Sequence, residues 1–429
     1  MRWHLRHTLP WEEPLDFAAR VRQQPMCLFY SSRSERWSGQ QSFLLLEPQE
    51  TVEATTWHDL PVLPKHADGL PYWAGYLGYG LRGAAEPALN RGVPGPVPMP
   101  ESLLIRYGSL YRFNHASRTL EHFTQAADYP IRPLPPKIVA RPLPAVVQLC
   151  SNFSRDSYMQ SVRATLEQIA AGNFYQANIT RKFYGAFADA PDTLALFANL
   201  CTASPAAYSC YLKQGELAVL SSSPESFLEI AADSTITTRP IKGSAARLTD
   251  DVADIAMQQQ LANSAKNHAE NLMITDLMRH DLGQISQPGS VRVAEQSALY
   301  SYATIHHLVS TITAQKRPDC TAYDVVRACF PPGSMTGAPK FAAMQWCTEQ
   351  EQLERGVYSG ALGWFGGGDT ADLSVVIRTL VCVGQQFEFQ VGGGIVADSD
   401  PTDEWRETLI KARGIGRAIG IAEATLEAL

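Results

Sequence analysis

The sequence predicts an α+β fold built on a mainly antiparallel sheet. Two observations carry this prediction: long helical patterns alternate with short β-rich runs, and these runs follow one another closely, as strands in hairpins do. The chain has 429 residues, of which 45% are hydrophobic and 18% are charged. This composition is typical of a compact protein that buries a large core.

Charge and cysteine content narrow the class of protein. The formal net charge is −7, so no global positive field favours nucleic acid or an anionic membrane, and an anionic substrate would need a local basic pocket. The eight cysteines show no CxxC spacing, which fits free thiols better than disulfides or zinc ligands. There is neither an N-terminal signal-type segment nor a run of about 18 apolar residues. We therefore expect a cytoplasmic protein that binds neither nucleic acid nor a membrane.

One segment divides the chain. Residues 129–144 contain six prolines, too many for a helix or a central strand, and are predicted to form an extended linker. The linker separates an N-terminal lobe, 1–128, from a C-terminal domain, 150–429.

The elements of the C-terminal domain are predicted in chain order. The first helix covers 154–172, because Ser154 and Asp156 open it and Gly172 ends it. A long helix covers about 250–282, and the last begins at Asp400-Pro401, an N-cap followed by proline at the first helical position. The β-rich runs around these helices are 174–184, 208–212, 217–223, 225–230, 235–241, 360–365, 372–383 and 387–398.

The last helix and the segment before it form the clearest candidate site. Glu404, Glu407 and Lys411 are spaced i, i+3 and i+7, so they share one helical face. A solvated face with a Glu–Lys pair would show the same spacing. However, the three glycines 392–394 end a strand just before this helix, allow close backbone approach to a ligand, and lead to a helix N-terminus that favours negative charge.

Segments outside the last helix supply further candidate groups. Glu270 together with Glu407 would make an oxygen-only site suited to Mg²⁺, although pairs of glutamates on two helices are common. Lys242 precedes a glycine and would usually be exposed. If it is buried, its amine can act as a nucleophile. Glu225 would then be a partnering acid kept protonated by burial. Adjacent His306 and His307 point to different sides, so we reject metal ligation and keep one histidine as a hydrogen-bond donor.

Several longer segments resemble one protein family. They occur in the family's order along 150–425, and the N-terminal lobe matches only loosely. The segments are SSSPESFLEI, RPIKGSAAR, AENLMITDLMRHDLG, HHLVSTI, FPPGSMTGAPK, YSGALGWF, DLSVVIRT and GGGIVADSDPTDEWRETLIKA. They resemble the chorismate-utilising enzymes, which include anthranilate synthase, aminodeoxychorismate synthase, isochorismate synthase and salicylate synthase. The resemblance implies large, mainly antiparallel sheets sandwiched together with flanking helices, and a chorismate-binding catalytic domain over 150–429.

The resemblance also implies roles for individual positions. Glu270 and Glu407 match Mg²⁺ ligands, with Glu404 in the same metal region. Glu225 matches the general acid, and His307 matches an active-site histidine. The implied substrate-binding positions are Gln176, Gly243, Ser244, Tyr358, Arg378, Gly393, Gly394 and Lys411.

Two positions distinguish members of the family. Gln176 stands where the water-activating enzymes carry lysine, and an amide cannot act as a base near neutral pH. Lys242 stands where anthranilate synthases typically carry alanine. Together they resemble the aminodeoxychorismate synthases, and this implies amination of chorismate at C4, through a Lys242 adduct at C2, for 4-aminobenzoate and folate synthesis. Anthranilate synthase component I, a phenazine-type synthase and a non-catalytic chorismate-binding regulatory subunit remain alternatives.

The family pattern also implies a partner. The chain contains no glutaminase nucleophile motif, so a separate glutamine amidotransferase subunit would supply ammonia in a heterodimer. Some relatives bind tryptophan in the N-terminal lobe, and SGQQSFLLLEP resembles that pocket only in part. Asn267, where many relatives carry an acid, is a departure that bears on Mg²⁺ affinity. The other departures are Ser244, Ala246, His280 and Gln284.

Overall fold

A computed structural model of the chain describes residues 2–31, 39–66, 68–86, 88–89, 92–126, 135–302 and 305–429. The helices are α1 (Pro14–Ala18), α2 (Arg82–Ala85), α3 (Arg155–Ala170), α4 (Thr193–Ala203), α5 (Asp251–Ala262), α6 (Ala265–Gly283), α7 (Ala322–Cys329), α8 (Lys340–Glu351), α9 (Pro401–Ala418) and α10 (Glu423–Glu427).

The strands make up one connected 20-stranded sheet. They are β1 (His4–Leu9), β2 (Met26–Tyr30), β3 (Gln41–Ala54), β4 (Pro71–Leu77), β5 (Ser102–Asn114), β6 (Thr119–Thr124), β7 (Val146–Ser151), β8 (Gln176–Phe187), β9 (Tyr208–Gln214), β10 (Leu217–Ser223), β11 (Ser226–Ile230), β12 (Thr235–Arg239), β13 (Ile241–Ala246), β14 (Arg292–Ser301), β15 (Ile305–Gln315), β16 (Gly337–Ala338), β17 (Ala361–Gly366), β18 (Ala371–Val375), β19 (Thr379–Val383) and β20 (Gln386–Ile395).

The sheet divides into two branches at β5. The first branch runs β1–β6–β5–β3–β2–β9–β10–β19–β20–β8–β7, with β16 beside β7 on the same edge of β8. The second runs β5–β4–β17–β18–β11–β12–β15–β14, with β13 beside β12 on the same edge of β15. Every pairing between these strands is antiparallel. The predicted α+β fold with a mainly antiparallel sheet is confirmed.

Three apolar clusters show how the branches are layered. One cluster lies between the branches and includes Leu45 of β3, Leu212 of β9 and Leu362 of β17. A second packs α3, α4 and α9 against the first branch, and a third packs α6 and α7 against the second branch. The order of layers is therefore helix, sheet, sheet, helix, because each sheet face is apolar and must be covered.

The sheet continues across the predicted linker. Strand β2 pairs with β9, and β4 pairs with β17, so strands from 1–128 and from 150–429 share one hydrogen-bonded network. Residues 135–145 form neither helix nor strand, and the first part of the linker, 129–134, lies outside the described residues. The division into lobe and domain stays a prediction.

Two of the predicted elements are each divided into two in the structure. The long helix over 250–282 is two helices, since Ser264 caps a new one by accepting a hydrogen bond from the Asn267 N–H. Serine competes for backbone donors and so favours an N-cap over a helix interior. The run 372–383 is two strands, because the chain turns between β18 and β19, where Arg378 adopts a φ of 50°.

Other capping predictions are confirmed. Ser154 caps α3 by accepting from the Ser157 N–H, and Asp400 caps α9 by accepting from Thr402 and Asp403 N–H groups at 2.8 and 3.1 Å. All eight cysteines are free thiols. Within the described ranges, no helix combines the length and apolarity needed to cross a membrane.

A buried arginine joins α8 to β8. Arg355 is 1% exposed and donates to both carboxylate oxygens of Glu351 at 2.8 and 2.6 Å. It also donates to the carbonyl oxygens of Met335 and Asn178, both at 2.7 Å. Because both charges are desolvated, each depends on the other for compensation.

We expect Arg355→Met to lower the free energy of unfolding by about 3–5 kcal/mol, because it leaves the Glu351 carboxylate buried without its counter-charge. Urea unfolding, followed by tryptophan fluorescence, measures this. The matched control is Arg406→Met, since the Arg406–Asp403 pair is 68% and 73% exposed and contributes at most about 1 kcal/mol. Equal effects of the two substitutions would contradict a stabilising role for the buried Arg355–Glu351 ion pair.

Candidate active site

The candidate site lies at an open edge of β20. On one side β19 pairs only with residues 386–389 of β20, whereas on the other side β8 pairs along its whole length. After Phe389, therefore, no described strand pairs with β20 on the β19 side, and the three glycines 392–394 have a free edge there. Backbone N–H and C=O groups at such an edge are available to a ligand.

Helix α9 brings two carboxylates to this edge. A Cβ at Gly393 would lie 2.6 Å from Glu404 Oε2 and 3.7 Å from Glu407 Oε1. Any side chain at Gly393 would displace the Glu404 carboxylate, because 2.6 Å is far below a carbon–oxygen contact distance. The Ser399 hydroxyl donates to Glu404 Oε1 at 2.6 Å, while Oε2 is buried with no hydrogen-bond partner in the described structure.

The two carboxylates differ in their ionisation. Burial raises the pKa of Glu404, and the nearby Glu407 carboxylate raises it further. Burial also acts to raise the pKa of Glu407, but Lys411, Lys242 and Lys266 together lower it. Lys411 Nζ lies 2.6 Å from Glu407 Oε1 and donates to the Gly392 carbonyl at 2.7 Å.

These carboxylates fit a hard cation. Glu404 Oε2 is an unpartnered buried oxygen, and the repulsion between the two groups would be relieved by a positive charge bound between them. The structure places Glu270 on α6, one turn after Lys266, whose ammonium acts on both α9 carboxylates. No described contact joins the Glu270 carboxylate to them. Over the described residues, His, Cys, Asp and Glu side chains form no metal-type group of three or more.

The predicted nucleophile lies on the opposite face of β20. A Cβ at Gly394 would lie 2.5 Å from Gln176 Nε2 and 3.4 Å from Lys242 Nζ, so the Gln176 amide and the Lys242 amine both lie next to Gly394. Gln176 is fully buried and neither of its amide atoms has a hydrogen-bond partner in the described chain. A buried amide in this state needs a polar ligand or water.

Strand β13 is held close to α6 at Lys242. Gly243 has a φ of 89°, and a Cβ there would be 3.0 Å from the Cβ of Asn267. Both the left-handed conformation and the short distance require glycine. The departure noted at Asn267 therefore lies in direct contact with the strand that carries Lys242.

Glu225 has the ionisation expected of an acid. Its side chain is 5% exposed, and burial raises its pKa to about 7. A hydrogen bond from the Ser334 hydroxyl opposes this shift. The Lys242 charge, the Ile241 N–H and the Lys411 charge oppose it too. Glu225 is therefore divided between its protonated and ionised forms near neutral pH, as a general acid requires.

The two adjacent histidines bind different partners. The Ser244 hydroxyl shares a 2.6 Å hydrogen bond with His307 Nδ1 and connects β13 to β15. His306 instead lies between Ser301, at 2.7 Å, and Asp254, at 3.1 Å. The expectation that they point to different sides is confirmed.

Tyr358 and Arg378 are the remaining predicted substrate-binding side chains. Tyr358 is buried, and burial raises the pKa of its phenol, with Glu225 among the nearby charges. Arg378 lies at the turn before β19 and donates to Ser204 Oγ at 3.5 Å. The structure thus joins Lys242, Gln176 and Gly394 directly, and it gives no direct contact from Arg378 or Glu270 to that group within the described residues.

Sequence reasoning did not single out three residues of the site. Ser334 bonds Glu225, Ser399 bonds Glu404, and Lys266 acts on the α9 carboxylates. Ser334 lies within the recognised segment FPPGSMTGAPK, and that was a usable signal for it. Ser399 lies within the recognised segment GGGIVADSDPTDEWRETLIKA, which was a usable signal as well. Lys266 looks like an ordinary surface residue in sequence, because only tertiary packing brings it to the site.

A cavity of about 400 Å³ lies apart from this site. Gln41 and Phe43, from the segment that partly resembles a tryptophan pocket, line it together with Tyr208, Trp364 and Asp372. Tryptophan binding by the N-terminal lobe stays a prediction.

Comparison with known proteins matches the chain to one family. A model described as chorismate binding enzyme matches residues 8–417. The chain is 37% identical over 407 residues to aminodeoxychorismate synthase of Streptomyces griseus, covering 87% of this chain and 54% of that protein. It is 42% identical over 265 residues to aminodeoxychorismate synthase component 1 of Escherichia coli, covering 62% and 58%.

Two further likenesses extend the comparison. Anthranilate synthase component 1 of Pseudomonas putida is 33% identical over 389 residues, covering 86% of this chain and 78% of that protein. The menaquinone-specific isochorismate synthase of E. coli superimposes with a TM-score of 0.76 at 19% identity, over 97% of this chain and 95% of that one. The chain spans little more than half the length of the two aminodeoxychorismate synthases.

The raised pKa of Glu225 predicts a pH-dependent stability. Between its ordinary value of 4.5 and about 7 the folded protein binds more protons at Glu225 than the unfolded chain does, so stability falls as pH rises through this window. The shift corresponds to a loss of up to about 3 kcal/mol. We expect Glu225→Gln to remove this loss, so that the variant gains stability relative to wild type at pH 8 but not at pH 5.

Thermal unfolding of both proteins at the two pH values, in the presence of a chelator, measures the difference. Glu216→Gln, at an exposed position, is the control and should follow wild type. Parallel pH profiles for wild type and Glu225→Gln would show that Glu225 titrates normally.

Proposed function

The chain belongs to the chorismate-binding enzyme family, and we propose that within it the protein is the chorismate-aminating subunit of an aminodeoxychorismate synthase. Its product would be 4-amino-4-deoxychorismate, the precursor of 4-aminobenzoate in folate synthesis. The observation that carries the proposal is the meeting of Gln176 and Lys242 at Gly394, with Glu225 close enough to interact electrostatically with Lys242. The names of the relatives with 37% and 42% identity support the same choice.

Lys242 supplies the first bond. Its uncharged amine attacks C2 of chorismate, both conjugated ring double bonds shift by one position toward C4, and the C4 hydroxyl leaves as water after taking a proton from Glu225. Ammonia then attacks C4, both double bonds shift back, and the amine of Lys242 leaves from C2. The two displacements leave the enolpyruvyl ether intact and put nitrogen at C4.

Gln176 excludes the competing water reaction. Its amide cannot take a proton from water near neutral pH, so no base at this position would generate a hydroxide for attack at C2. The amide can still hold a neutral nucleophile or a substrate hydroxyl through one donor and one acceptor. This difference separates an aminating site from a hydrating one.

Anionic groups of the substrate have partners along the open edge of β20. Lys411 and the N–H group of Gly394 would bind a carboxylate, as would Arg378 and the hydroxyl of Tyr358. Ser244 and His307 hold β13 in place next to Lys242.

Glu404 and Glu407, with Glu270 from α6, are the residues that would hold Mg²⁺. When bound, the ion would offset the charge of a substrate carboxylate. The chain's own contribution is the orientation of these oxygens, which Ser399 and Lys411 set by hydrogen bonding.

A separate subunit would provide the ammonia. The E. coli and P. putida relatives are each named component 1, and this supports a glutamine amidotransferase as the partner of this chain.

Anthranilate synthase component I is the second candidate. It is favoured by the P. putida relative, which this chain matches over 78% of its length. Lys242 argues against it, because direct attack of ammonia at C2 needs no covalent lysine and competes with one. A non-catalytic chorismate-binding subunit is disfavoured by the joint presence of Glu225, Lys242, Glu270, Glu407 and Lys411.

The products formed from chorismate, Mg²⁺ and ammonium at mildly alkaline pH distinguish these enzymes. We expect an aminated product that a 4-aminobenzoate-forming lyase converts to 4-aminobenzoate, and we expect a chelator to prevent its formation. Mass analysis before and after adding the lyase is needed, because the amino isomers have the same mass. Anthranilate, or an aminated product that the lyase leaves unchanged, would assign the chain to attack at C2.

We expect Lys242→Ala to reduce C4 amination on the order of a thousandfold, within the range for removal of a catalytic group. Without ammonium, wild type incubated with chorismate should gain the mass of chorismate less one water on the peptide containing Lys242, and the variant should not. Lys213→Ala is the control. Lys213 lies on β9, away from the site, and its ammonium donates a hydrogen bond to the Arg22 carbonyl. Full activity of Lys242→Ala would refute the covalent role.

A further inference from the structure

The segment 330–339, which links α7 to α8, is buried although most of it is irregular. Residues 330–337 are all buried, and the segment contains a 3-10 turn at Gly333–Met335 and the two-residue strand β16. The backbone groups of a buried segment need hydrogen-bond partners, and outside helices and sheets those partners must come from elsewhere. The conformation of the α7–α8 segment therefore depends on contacts that other elements supply.

The middle of the α7–α8 segment contacts two groups of the proposed site. The Ser334 hydroxyl donates a hydrogen bond to the Glu225 carboxylate, and Ser334 itself is 7% exposed. Further along, β16 pairs Ala338 with Gln176, and a Cβ at Gly337 would lie 2.1 Å from the Gln176 carbonyl oxygen. The segment therefore places a hydrogen-bond donor on the proposed acid and packs closely on the strand that carries the buried amide.

Lys340 joins the two ends of the α7–α8 segment. It is the first residue of α8, and its ammonium donates to the carbonyl oxygen of Cys329, the last residue of α7, at 2.9 Å. The same ammonium donates to Asp281 Oδ2 on α6 at 2.6 Å. The side chains of Lys340 and Asp281 are 15% and 6% exposed. One ammonium thus closes the segment into a loop and ties that loop to α6.

Burial makes these contacts stronger than they would be in water. The carbonyl groups at the C-terminal end of α7 carry partial negative charge, which favours a cation there. Burial raises the pKa of Asp281, and the Lys340 charge opposes that shift. Removing Lys340 alone would leave a buried carboxylate without its counter-charge, whereas removing both charges together would not. The Lys340–Asp281 pair is therefore best replaced as a pair.

We infer that Lys340 and Asp281 are positioning residues, which hold the Ser334 hydroxyl against Glu225 by closing the α7–α8 segment. The inference rests on the proposed function, in which Glu225 gives a proton to the C4 hydroxyl of chorismate. A hydrogen bond between two oxygen atoms spans only about 2.5–3.0 Å, so a small separation of the ends of the segment would break it.

Ser334 is one of several groups that act on the Glu225 carboxylate. The Ile241 N–H of β13 also donates to it, and Lys242 and Lys411 act on it through their charges. The phenol of Tyr358 lies near the same carboxylate. Burial raises the pKa of Glu225, and the Ser334 hydrogen bond is the largest of the opposing effects. Loss of this hydrogen bond therefore raises the pKa further.

The test compares Ser334→Ala with the double variant Lys340→Met and Asp281→Leu. Replacing a buried ion pair by apolar residues of similar volume is often neutral for folding, so the double variant should fold. The Ser334 hydrogen bond stabilises the carboxylate that remains when the proton has left Glu225. Without ammonium, we therefore expect both proteins to attach chorismate to Lys242, with loss of water, about tenfold more slowly than wild type. The calorimetric Kd for chorismate should stay within about twofold.

Combining all three substitutions decides whether they act on one contact. If the Lys340–Asp281 pair acts through Ser334, the triple variant should attach chorismate no more slowly than Ser334→Ala. Independent contributions would instead multiply to a loss of about a hundredfold. The milder variant Asp281→Asn keeps the shape of the carboxylate without its charge, and it should cause a smaller loss in the same direction.

The matched control is the double variant Lys316→Met and Asp369→Asn. The Lys316 ammonium likewise donates to a cysteine carbonyl, that of Cys320, and lies 3.7 Å from an aspartate, Asp369. Lys316 follows β15 at the opposite end of that strand from His307. Asparagine is chosen because it tolerates the φ of 59° at position 369. The control should attach chorismate at the wild-type rate.

The pH dependence of stability gives a second measurement, which needs no activity. The contribution of Glu225 is the change in thermal midpoint from pH 5 to pH 9 in each protein, minus the same change in its Glu225→Gln counterpart. A group with a raised pKa in the folded state loses stability as pH rises, and loses more when that pKa is raised further. We expect the contribution to grow equally in Ser334→Ala and in Lys340→Met with Asp281→Leu. A merely structural role would lower the midpoint equally at both pH values.

Two results would overturn the inference: an unchanged Glu225 contribution in the Lys340–Asp281 double variant, or an equal loss of rate in the Lys316 control. If wild type attaches no chorismate to Lys242, the proposed function is wrong. The pH measurement still decides in that case whether the Lys340–Asp281 pair holds Ser334 against Glu225, because it depends on neither substrate nor product.

Discussion

The close packing of neighbouring side chains against residues 392–394 of β20 is the constraint on which the site depends. Gly392 receives the methyl of Thr180, Gly393 receives the carboxylate of Glu404, and Gly394 receives the amide of Gln176. A side chain at any of these positions would lie within 2.7 Å of its neighbour. Side chains at Gly393 and Gly394 would displace the Glu404 carboxylate and the Gln176 amide, and a side chain at Gly392 would also meet the Ile179 carbonyl oxygen at 2.5 Å.

Although the net charge of the chain is −7, lysines lie close to the carboxylates at the site. Lys242, Lys266 and Lys411 act on Glu407, and Lys242 and Lys411 also act on Glu225. These lysines lower the pKa of Glu407, while burial raises the pKa of Glu225 to about 7, so that Glu225 is only partly ionised at pH 7. Two glutamates with the same chemistry are thus assigned different protonation states by their surroundings, as acid and ligand roles require.

Sequence reasoning predicted what depends on local rules. The caps at Ser154 and Asp400, the glycines before α9 and the opposite directions of His306 and His307 follow from side-chain chemistry and strand alternation. The break at Ser264 was missed because a helical pattern continues on both sides of it. The pairing of β2 with β9 and of β4 with β17 joins distant parts of the chain, and no local pattern reveals such contacts. The same is true of Lys266 at the site.

Strand alternation explains why the site has two chemically different sides. Gly393 faces α9 and its carboxylates, whereas Gly392 and Gly394 lie on the opposite face of β20, next to Thr180, Gln176 and Lys242. A shift of β20 by one residue would exchange the faces, and would place Glu388 and Gln390 in the apolar cluster under α9. The burial of Phe387, Phe389 and Val391 in that cluster opposes such a shift. The apolar alternation of β20 therefore fixes the register, and through the register it keeps the metal-type oxygens on one side of the strand and the nucleophile on the other.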